Sequence, residues 1–189
     1  MLCIIVIDNS NIFIEGRKLS AARKGIPAKA GGDPATDPSW RIHFATLLDE
    51  LANGIEVFRA ILVGSKPPPS DSVWNSAARH GFAVTTHYRD GYTGGEKAID
   101  TELVAQATEL VCDAGKEGVL IIASGDRDFI PLVNLAHRRG WTVEMAAFQS
   151  AFQANGEMAT QVDMVRPLDA IFNRISDYAY EWPAPDDAV

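Results

Sequence analysis

The stretch that decides the fold runs from Val119 to Leu132 and reads VLIIASGDRDFIPL. Five apolar residues are followed at once by a serine, a glycine and two aspartates, Asp126 and Asp128. An uninterrupted apolar run of this length is typical of a strand buried on both faces, as in a parallel sheet. The two acids that follow it either cap the next helix or hold a positively charged group.

Similar strand-like segments alternate with helical segments along the whole chain. The strand-like segments are 2–7, 56–64, 82–88, 118–124 and 141–148, and the helical ones are 11–25, 40–54, about 70–79, 96–115 and 128–140. This alternation predicts an α/β fold, a three-layer α/β/α sandwich whose mainly parallel, Rossmann-like sheet is joined by right-handed crossovers. The chain of 189 residues suits one such domain.

Composition narrows the class of protein. The chain is acidic, with 25 acidic and 17 basic residues and a net charge of −8, whereas proteins that bind nucleic acid non-specifically tend to be basic. Any nucleic-acid role therefore requires a local basic patch or metal ions between acids and phosphate. The chain has only two cysteines, Cys3 and Cys112, which is typical of a protein in the reducing cytoplasm. It has no apolar run long enough to span a bilayer, so we expect no membrane contact.

Carboxylates follow two separate strands of the predicted sheet. Asp8 comes directly after the first strand, and Asp126 and Asp128 come after the VLIIA strand. Because sites in open parallel sheets form at the carboxyl ends of the strands, we expect these side chains to lie at one edge. Asp100, in the first turn of a helix, lies in line with the core-facing positions 104, 107 and 111, so it is also expected to point inward there.

Several converging carboxylates repel one another unless a cation compensates their charge. Mg²⁺ and Mn²⁺ prefer oxygen ligands, and Mg²⁺ typically takes one or two carboxylates together with water and substrate phosphate. Such an ion activates water and stabilises the charge on a scissile phosphate. The four acids Asp8, Asp100, Asp126 and Asp128 are therefore candidate metal-binding and catalytic residues for phosphodiester hydrolysis. Taken singly, Asp8, Asp126 or Asp128 is equally interpreted as a helix cap.

Three segments of the chain resemble the NYN domain, a family of the PIN-like nuclease superfamily. They are IIVIDNSNIFIEG from Ile4, GGEKAIDTELVAQA from Gly94, and the long segment from Val119 to Phe148 with its Ser-Gly-Asp-x-Asp-Phe motif. The resemblance implies a metal-dependent ribonuclease that uses Mg²⁺ or Mn²⁺ on RNA. The resemblance covers about residues 2–172, so residues 1–175 are expected to form the PIN-like domain. Residues 176–189 are expected to be a C-terminal extension that is partly disordered.

The same resemblance implies roles for individual residues. Asp8, Asp100, Asp126 and Asp128 would form the metal-binding group, with Asn11 beside Asp8, Ser124 at the edge of the site and Lys97 preceding Asp100 in the Lys-x-x-Asp motif. Two positions depart from the family pattern: Asn9 and Arg127 stand where many members have glycine. Arg127 adds a cation that either contacts phosphate or lowers occupancy by metal.

Basic and aromatic residues near the predicted strand ends are candidates for contacts with RNA. The candidate phosphate-binding residues are Arg17, Lys66, Arg89, Lys97 and Arg127, with solvated surface charge as the alternative. Trp40, Tyr88 and Tyr92 flank loops and are candidates for base stacking, with packing inside the protein as the alternative. Near the C-terminus, five apolar residues either pack within the chain or form the contact of a homodimer: Ile171, Phe172, Tyr178, Tyr180 and Trp182.

Other functional classes fit the pattern less well. The Asp-x-Ser-x-Ser metal motif of von Willebrand factor A domains needs a serine where Ile12 stands. Haloacid-dehalogenase-like phosphatases need an acid where Ser10 stands. One alternative stays open: an RNA-binding or regulatory scaffold that retains the nuclease fold and all four acids but cleaves very slowly or not at all.

Overall fold

The computed structural model describes residues 1–28, 31–66, 72–88 and 95–181, and within these ranges the chain forms eight strands and seven α-helices. The strands are β1 (Leu2–Asp8), β2 (Trp40–Ile42), β3 (Glu56–Lys66), β4 (Phe82–Tyr88), β5 (Val119–Ala123), β6 (Thr142–Ala147), β7 (Met164–Pro167) and β8 (Ser176–Tyr178). The helices are α1 (Asn9–Lys24), α2 (Phe44–Ala52), α3 (Ser72–Arg79), α4 (Gly95–Asp113), α5 (Ile130–Arg138), α6 (Glu157–Gln161) and α7 (Phe172–Ile175).

Six strands form one sheet in the order β4-β3-β1-β5-β6-β7, and every neighbouring pair in it is parallel. Successive side chains of a strand point to opposite faces of the sheet, so each buried strand supplies two cores. Ile5 and Ile7 of β1 pack in the core on the side of α1, α2 and α3, whereas Ile4 and Val6 pack in the core on the side of α4 and α5. The predicted α/β sandwich with a mainly parallel sheet is confirmed.

The predicted helix from Trp40 is wrong at its start. Residues Trp40–Ile42 form β2, which pairs antiparallel with β8 in a separate two-stranded sheet, and the helix begins only at Phe44. The pairing with a segment 136 residues further along the chain overrides the local helical spacing. His43 then caps α2, because its Nδ1 accepts the Thr46 backbone N–H at 3.3 Å.

The Trp40 side chain holds the small sheet against the body of the domain. Its ring is fully buried, stacks on Phe172 at 5.9 Å between centroids, and donates through Nε1 to Ser176 Oγ at 2.7 Å. Gly16 of α1 lies against the face of this ring, and a Cβ at that position would overlap it. Trp40 is therefore a core residue, and its prediction as a base-stacking residue is wrong.

A second tryptophan packs in the same way. Gly64 of β3 lies against the ring of Trp74 of α3, and a Cβ at Gly64 would overlap that ring. Trp74 is nearly buried, at 8% exposed. Glycine thus lets a helix and a strand approach a tryptophan face closely at two places on one side of the sheet.

The C-terminal segment was predicted either to pack within the chain or to form a dimer contact. The C-terminal residues Phe172 and Ile175 are buried within the chain, while Tyr178 and Tyr180 are exposed. Trp182 and the predicted disordered tail lie outside the described residues. The division of the chain at residue 175 stays a prediction, and β8 beyond it pairs with β2.

The segment before β2 is anchored by the buried acid Asp37. Its Oδ2 accepts the Ser20 hydroxyl at 2.6 Å and lies 2.8 Å from Lys24 Nζ, and its Oδ1 accepts the backbone N–H and the hydroxyl of Ser39 at 2.8 and 2.6 Å. Burial alone would raise the pKa of Asp37, but the ammonium of Lys24 and the hydrogen bonds from Ser20 and Ser39 outweigh it and lower the pKa to about 2.

This arrangement predicts how stability depends on Asp37 and pH. Because the folded-state pKa lies below the ordinary value of 3.8, the ionised carboxylate stabilises the fold above about pH 4, and that contribution is lost as the pH falls through 2. We expect Asp37→Asn to lower the free energy of unfolding at pH 7 by roughly 2 kcal/mol, measured by urea denaturation.

The loss should shrink towards pH 2, where the wild-type carboxylate is also protonated. Asp33→Asn, at an exposed acid of the same segment, serves as the matched control and should change little. A difference between wild type and Asp37→Asn that stays constant from pH 7 to pH 2 would contradict the role of the Asp37 charge.

Candidate active site

The carboxyl ends of β1 and β5 meet at the point where the strand order of the sheet reverses. The chain leaves β1 towards β3 on one side, and it leaves β5 towards β6 on the other side. Such a switch point opens a crevice at the sheet edge and is where open α/β sheets bind ligands. The register pairs Ile7 with Ala123, so Asp8 and Ser124 are the next residues on the two strands.

Asp8 is held at this crevice by two donors. It is 7% exposed; its Oδ1 accepts the Asn11 backbone N–H at 3.1 Å, and its Oδ2 accepts the Ser124 hydroxyl at 2.9 Å. The first contact makes Asp8 the N-cap of α1, so the capping interpretation is confirmed. The second contact ties Asp8 to the other strand and gives the carboxylate a role beyond a local cap.

Ser124 and Gly125 shape the turn after β5. Ser124 is fully buried, donates to Asp8 and accepts the Asp126 backbone N–H at 3.1 Å. A Cβ on Gly125 would come within 2.6 Å of the Ala151 carbonyl oxygen, so the neighbouring loop leaves no space for a side chain. Ser124 therefore orients two groups: the Asp8 carboxylate at the end of β1 and the Asp126 backbone in the turn after β5.

Asp126 and Asp128 occupy different environments. Asp126 is half-buried and caps a short 3-10 helix (Arg127–Phe129), because its Oδ1 accepts the Asp128 backbone N–H at 3.0 Å. Asp128 is exposed, and Phe129 is fully buried as the predicted helix anchor. None of the ion pairs within the described residues involves Asp8, Asp126 or Asp128.

Burial is the main reason why the pKa of Asp8 is raised above its ordinary value. The hydrogen bonds from the Asn11 N–H and the Ser124 hydroxyl favour the ionised form and partly offset burial, and the nearby charge of Asp126 raises the pKa of Asp8 further. The folded protein therefore disfavours the ionised form of Asp8 relative to water. A cation bound nearby would compensate the negative charge and stabilise that form.

Three of the four acids line two clefts that meet at Arg127, whereas the buried Asp8 lines neither cleft. The Asp126 cleft, about 640 Å³, is lined by Asn11, Gly125, Asp126 and Arg127 on one side and by the segments 150–153 and 156–159 on the other. The Asp100 cleft, about 420 Å³, is lined by Asp100, Thr101, Val104, Arg127, Asp128 and Pro131. The exposed guanidinium of Arg127 belongs to both clefts, so a substrate phosphate in either one would meet a cation.

The donor set suits a hard cation without forming a dense cluster. Within the part of the chain that the structure describes, no three histidine, cysteine, aspartate or glutamate side chains form a group that could hold a metal ion. Mg²⁺ needs only one or two carboxylates when water and phosphate complete its shell. Beside the Asp8–Asp126 pair, Asn11 Oδ1 is buried without a hydrogen-bond partner among the described residues and offers a further oxygen.

The candidate substrate-binding residues divide into three groups. Asn11, Ser124 and Arg127 lie with Asp8 and Asp126, as expected. Arg17 does not: its Nε donates to the Asp37 backbone oxygen at 2.8 Å, and its guanidinium lies 5.4 Å from the centroid of the Phe13 ring. Five further candidates for RNA contacts have side chains outside the described residues, so their roles stay predictions: Lys66, Tyr88, Arg89, Tyr92 and Lys97.

Two residues near the site were missed by the sequence reasoning. Asn9 and Phe13 lie one turn apart on α1 and line a further pocket on the opposite side of its first turn from Asn11. The four-residue spacing of Asn9 and Phe13 could have predicted that they share a helix face. Asn9 had been noted only as a departure from the resembled family.

The model of the NYN domain family matches residues 4–169, which is most of the chain. The chain belongs to the NYN domain family. This places it in the PIN-like superfamily and gives it a nuclease-like fold. In this NYN domain, the matched region contains Asp8, Asp100, Asp126 and Asp128 together with the whole main sheet.

Comparison with solved structures supports the fold of this NYN domain. A protein of unknown function from Vibrio parahaemolyticus superimposes with a TM-score of 0.62 at 18% identity, over 89% of this chain and 93% of that one. At that level of identity the similarity concerns the fold alone. The comparison with curated proteins finds no match. Among the described residues, no helix of this NYN domain is long and apolar enough to cross a membrane.

The environment of Asp8 predicts opposite effects for two substitutions in metal-free protein at neutral pH. Asp8→Asn keeps a capping oxygen but removes the disfavoured charge, so we expect a higher melting temperature than wild type. Asp8→Ala loses the cap, about 1 kcal/mol, so we expect the melting temperature to fall by about 2–4 °C.

Calorimetry in EDTA measures both effects. Because the pKa of Asp8 is raised in the folded state, the carboxylate destabilises the fold only above its unfolded pKa, near 3.9. The gain in Asp8→Asn should therefore disappear below about pH 3. A melting temperature of Asp8→Asn that falls as far as that of Asp8→Ala would contradict this description of the site.

Proposed function

We propose that this NYN domain is a metal-dependent ribonuclease that hydrolyses RNA phosphodiester bonds with Mg²⁺ or Mn²⁺ at Asp8, Asp100, Asp126 and Asp128. One observation carries the proposal. Asp8, a buried carboxylate at the switch point of the sheet, is fixed by Ser124 beside a second carboxylate, Asp126. The match to the family supports a nuclease acting on RNA with a divalent ion.

The residues of the chain would divide the work as follows. Asp8 and Asp126 would hold the ion at the ends of β1 and β5, and Asn11 Oδ1 would be the neutral oxygen near them. A bound divalent ion there would activate water and stabilise the charge of the scissile phosphate. Asp100 and Asp128 hold charge in the adjoining cleft. Arg127, between the clefts, binds a phosphate oxygen of the RNA backbone.

Ser124 acts on this site by positioning it. Its hydroxyl hydrogen is used by Asp8 and its oxygen by the Asp126 backbone, so both hydrogen-bonding capacities are committed. The hydrogen bond from Ser124 favours the ionised form of Asp8 and partly offsets the effect of burial on the pKa of Asp8. Ser124 also holds the Asp126 backbone at the sheet edge. It does not need to touch RNA to matter for cleavage.

The test is RNA cleavage by the purified protein with Mn²⁺ or Mg²⁺ and with EDTA. We expect wild type to cleave and EDTA to stop it. Asp8→Asn and Asp126→Asn should lower the rate more than roughly 100-fold, because loss of even an outer-shell partner of a metal costs about 10- to 100-fold.

Asp113→Asn is the matched control, because Asp113 is an exposed acid at the end of α4 far along the helix from Asp100. It should cleave as wild type does. Cleavage that survives both Asp8→Asn and Asp126→Asn would refute the ribonuclease assignment to this site.

A second candidate function is an RNA-binding scaffold that cleaves slowly or not at all. It is favoured by one observation: the exposed guanidinium of Arg127 lies between the two clefts, where its positive charge opposes occupancy by a cation. If the wild-type protein binds RNA but does not cleave it with either Mg²⁺ or Mn²⁺, the scaffold function is supported and the ribonuclease is refuted.

Two further properties belong to the same proposal. Cys3 and Cys112 are both free thiols, one buried and one half-buried, which suits a reducing, cytoplasmic environment. A homodimer contact through the C-terminal segment stays a prediction. Tyr178 and Tyr180, 42% and 49% exposed, are the large apolar side chains of that segment that the described structure leaves on the surface.

A further inference from the structure

A third cavity lies beside Asp8, on the other side of α1 from the Asp126 cleft. This Asn9 pocket measures about 280 Å³ and is lined by Asn9, Phe13, Arg41, Ile42, Phe44, Ser72, Val73, Ser76, Asp177 and Ala179. Asn9 follows Asp8 in the chain, and Asn11 two residues later lines the Asp126 cleft. The first turn of α1 therefore separates two adjacent depressions, with Asp8 at the divide.

Asn9, which lines this pocket, carries an unmet hydrogen-bonding capacity. Its Oδ1 is buried and has no hydrogen-bond partner among the described residues. Buried polar atoms in proteins are nearly always paired, and an unpaired one calls for an explanation such as a missing ligand. A side-chain amide offers an acceptor next to a donor, which is the pattern that reads the edge of a nucleobase.

Aromatic and basic side chains complete the pocket. Phe13 and Phe44 lie on its wall, and the Phe13 ring, at 6.2 Å from Trp40 between centroids, is held in place by the core behind it. Arg41 lines the pocket, and its Nη1 donates to the backbone oxygens of Pro38 and Trp40, each at 2.8 Å. The guanidinium of Arg17 is not among the lining groups and lies 5.4 Å from the centroid of the Phe13 ring. Sites for single-stranded nucleic acid commonly combine aromatic rings, on which the bases stack, with cations that contact the phosphate backbone.

The other charged group of the pocket is Asp177, which stands opposite Arg41 in the β2–β8 pair. Its Oδ1 accepts the Tyr178 backbone N–H at 2.8 Å. The pocket is therefore not a simple anion site, because its wall offers acceptors as well as cations. That mixture suits a base with amino or imino hydrogens better than a phosphate.

We propose that the Asn9 pocket binds one unpaired base of the RNA, next to the phosphate held at Asp8 and Asp126. This inference rests on the proposed function and adds base recognition to it. The volume lies just below the range of about 300–1,000 Å³ typical of small-ligand sites, which fits a single base and excludes a duplex. Asn9 reads the base edge, and Phe13 stacks on its face.

Binding of short fluorescein-labelled single-stranded RNA in EDTA tests the pocket without cleavage. Each position of the RNA is replaced in turn by an abasic residue, and affinity is measured by fluorescence anisotropy. We expect one abasic position to weaken wild-type binding about tenfold, the size of a lost base stack. Asn9→Ala and Phe13→Leu should reduce that difference to less than about twofold.

The control variants are Asn134→Ala and Phe58→Leu, an exposed asparagine of α5 and a 45% exposed phenylalanine of β3. Both should keep the tenfold difference. Asn9→Ala should also keep the wild-type melting temperature, because its Oδ1 has no partner within the described residues to lose. Equal weakening of intact and abasic RNA by Asn9→Ala or Phe13→Leu would overturn the proposal.

The outcomes separate this inference from the ribonuclease itself. Metal-dependent cleavage together with binding that ignores every abasic substitution leaves the ribonuclease standing and refutes the base pocket. Base-dependent binding that needs Asn9, in a protein that never cleaves, supports the pocket and refutes the ribonuclease.

Discussion

A single serine hydroxyl joins the two halves of the sheet at the place where chemistry is possible. Ser124 Oγ lies 2.9 Å from Asp8 Oδ2 on one strand and 3.1 Å from the Asp126 backbone nitrogen beyond the other. Because the serine is fully buried, these bonds are protected from competition with water. The carboxylates of β1 and of the β5 turn are thereby brought to a common edge although 116 residues separate Asp8 from Ser124.

The same constraint makes capping and chemistry compatible. Asp8 uses one oxygen for the α1 cap and the other for Ser124, and Asp126 uses one oxygen for the cap of its short helix. A carboxylate oxygen has more than one lone pair, so a cap does not exhaust its capacity to bind a cation. Helix capping and cation binding are therefore compatible roles for these acids. The capping hydrogen bonds orient each carboxylate at the site.

The sequence predicted those features that depend on local pattern and general sheet topology. The buried runs from Leu2 and Val119 are strands, and Asp8 at the end of the first contacts Ser124 at the end of the second, because neighbouring parallel strands end at one edge. What failed depended on contacts distant in sequence. Trp40 is a strand residue because of Ser176 and Phe172, and Arg17 turns towards Asp37 instead of the acids. Helical spacing and net charge carry no information about such partners.

The two tryptophan–glycine contacts have an evolutionary consequence. Trp40 covers Gly16 and Trp74 covers Gly64, and in each case the missing side chain is the space that the indole occupies. A larger residue at either glycine would be tolerated only together with a smaller residue at the matching tryptophan, because close-packed interiors do not accommodate added volume freely. In an alignment of homologues, positions 16 and 40 should therefore covary, as should positions 64 and 74.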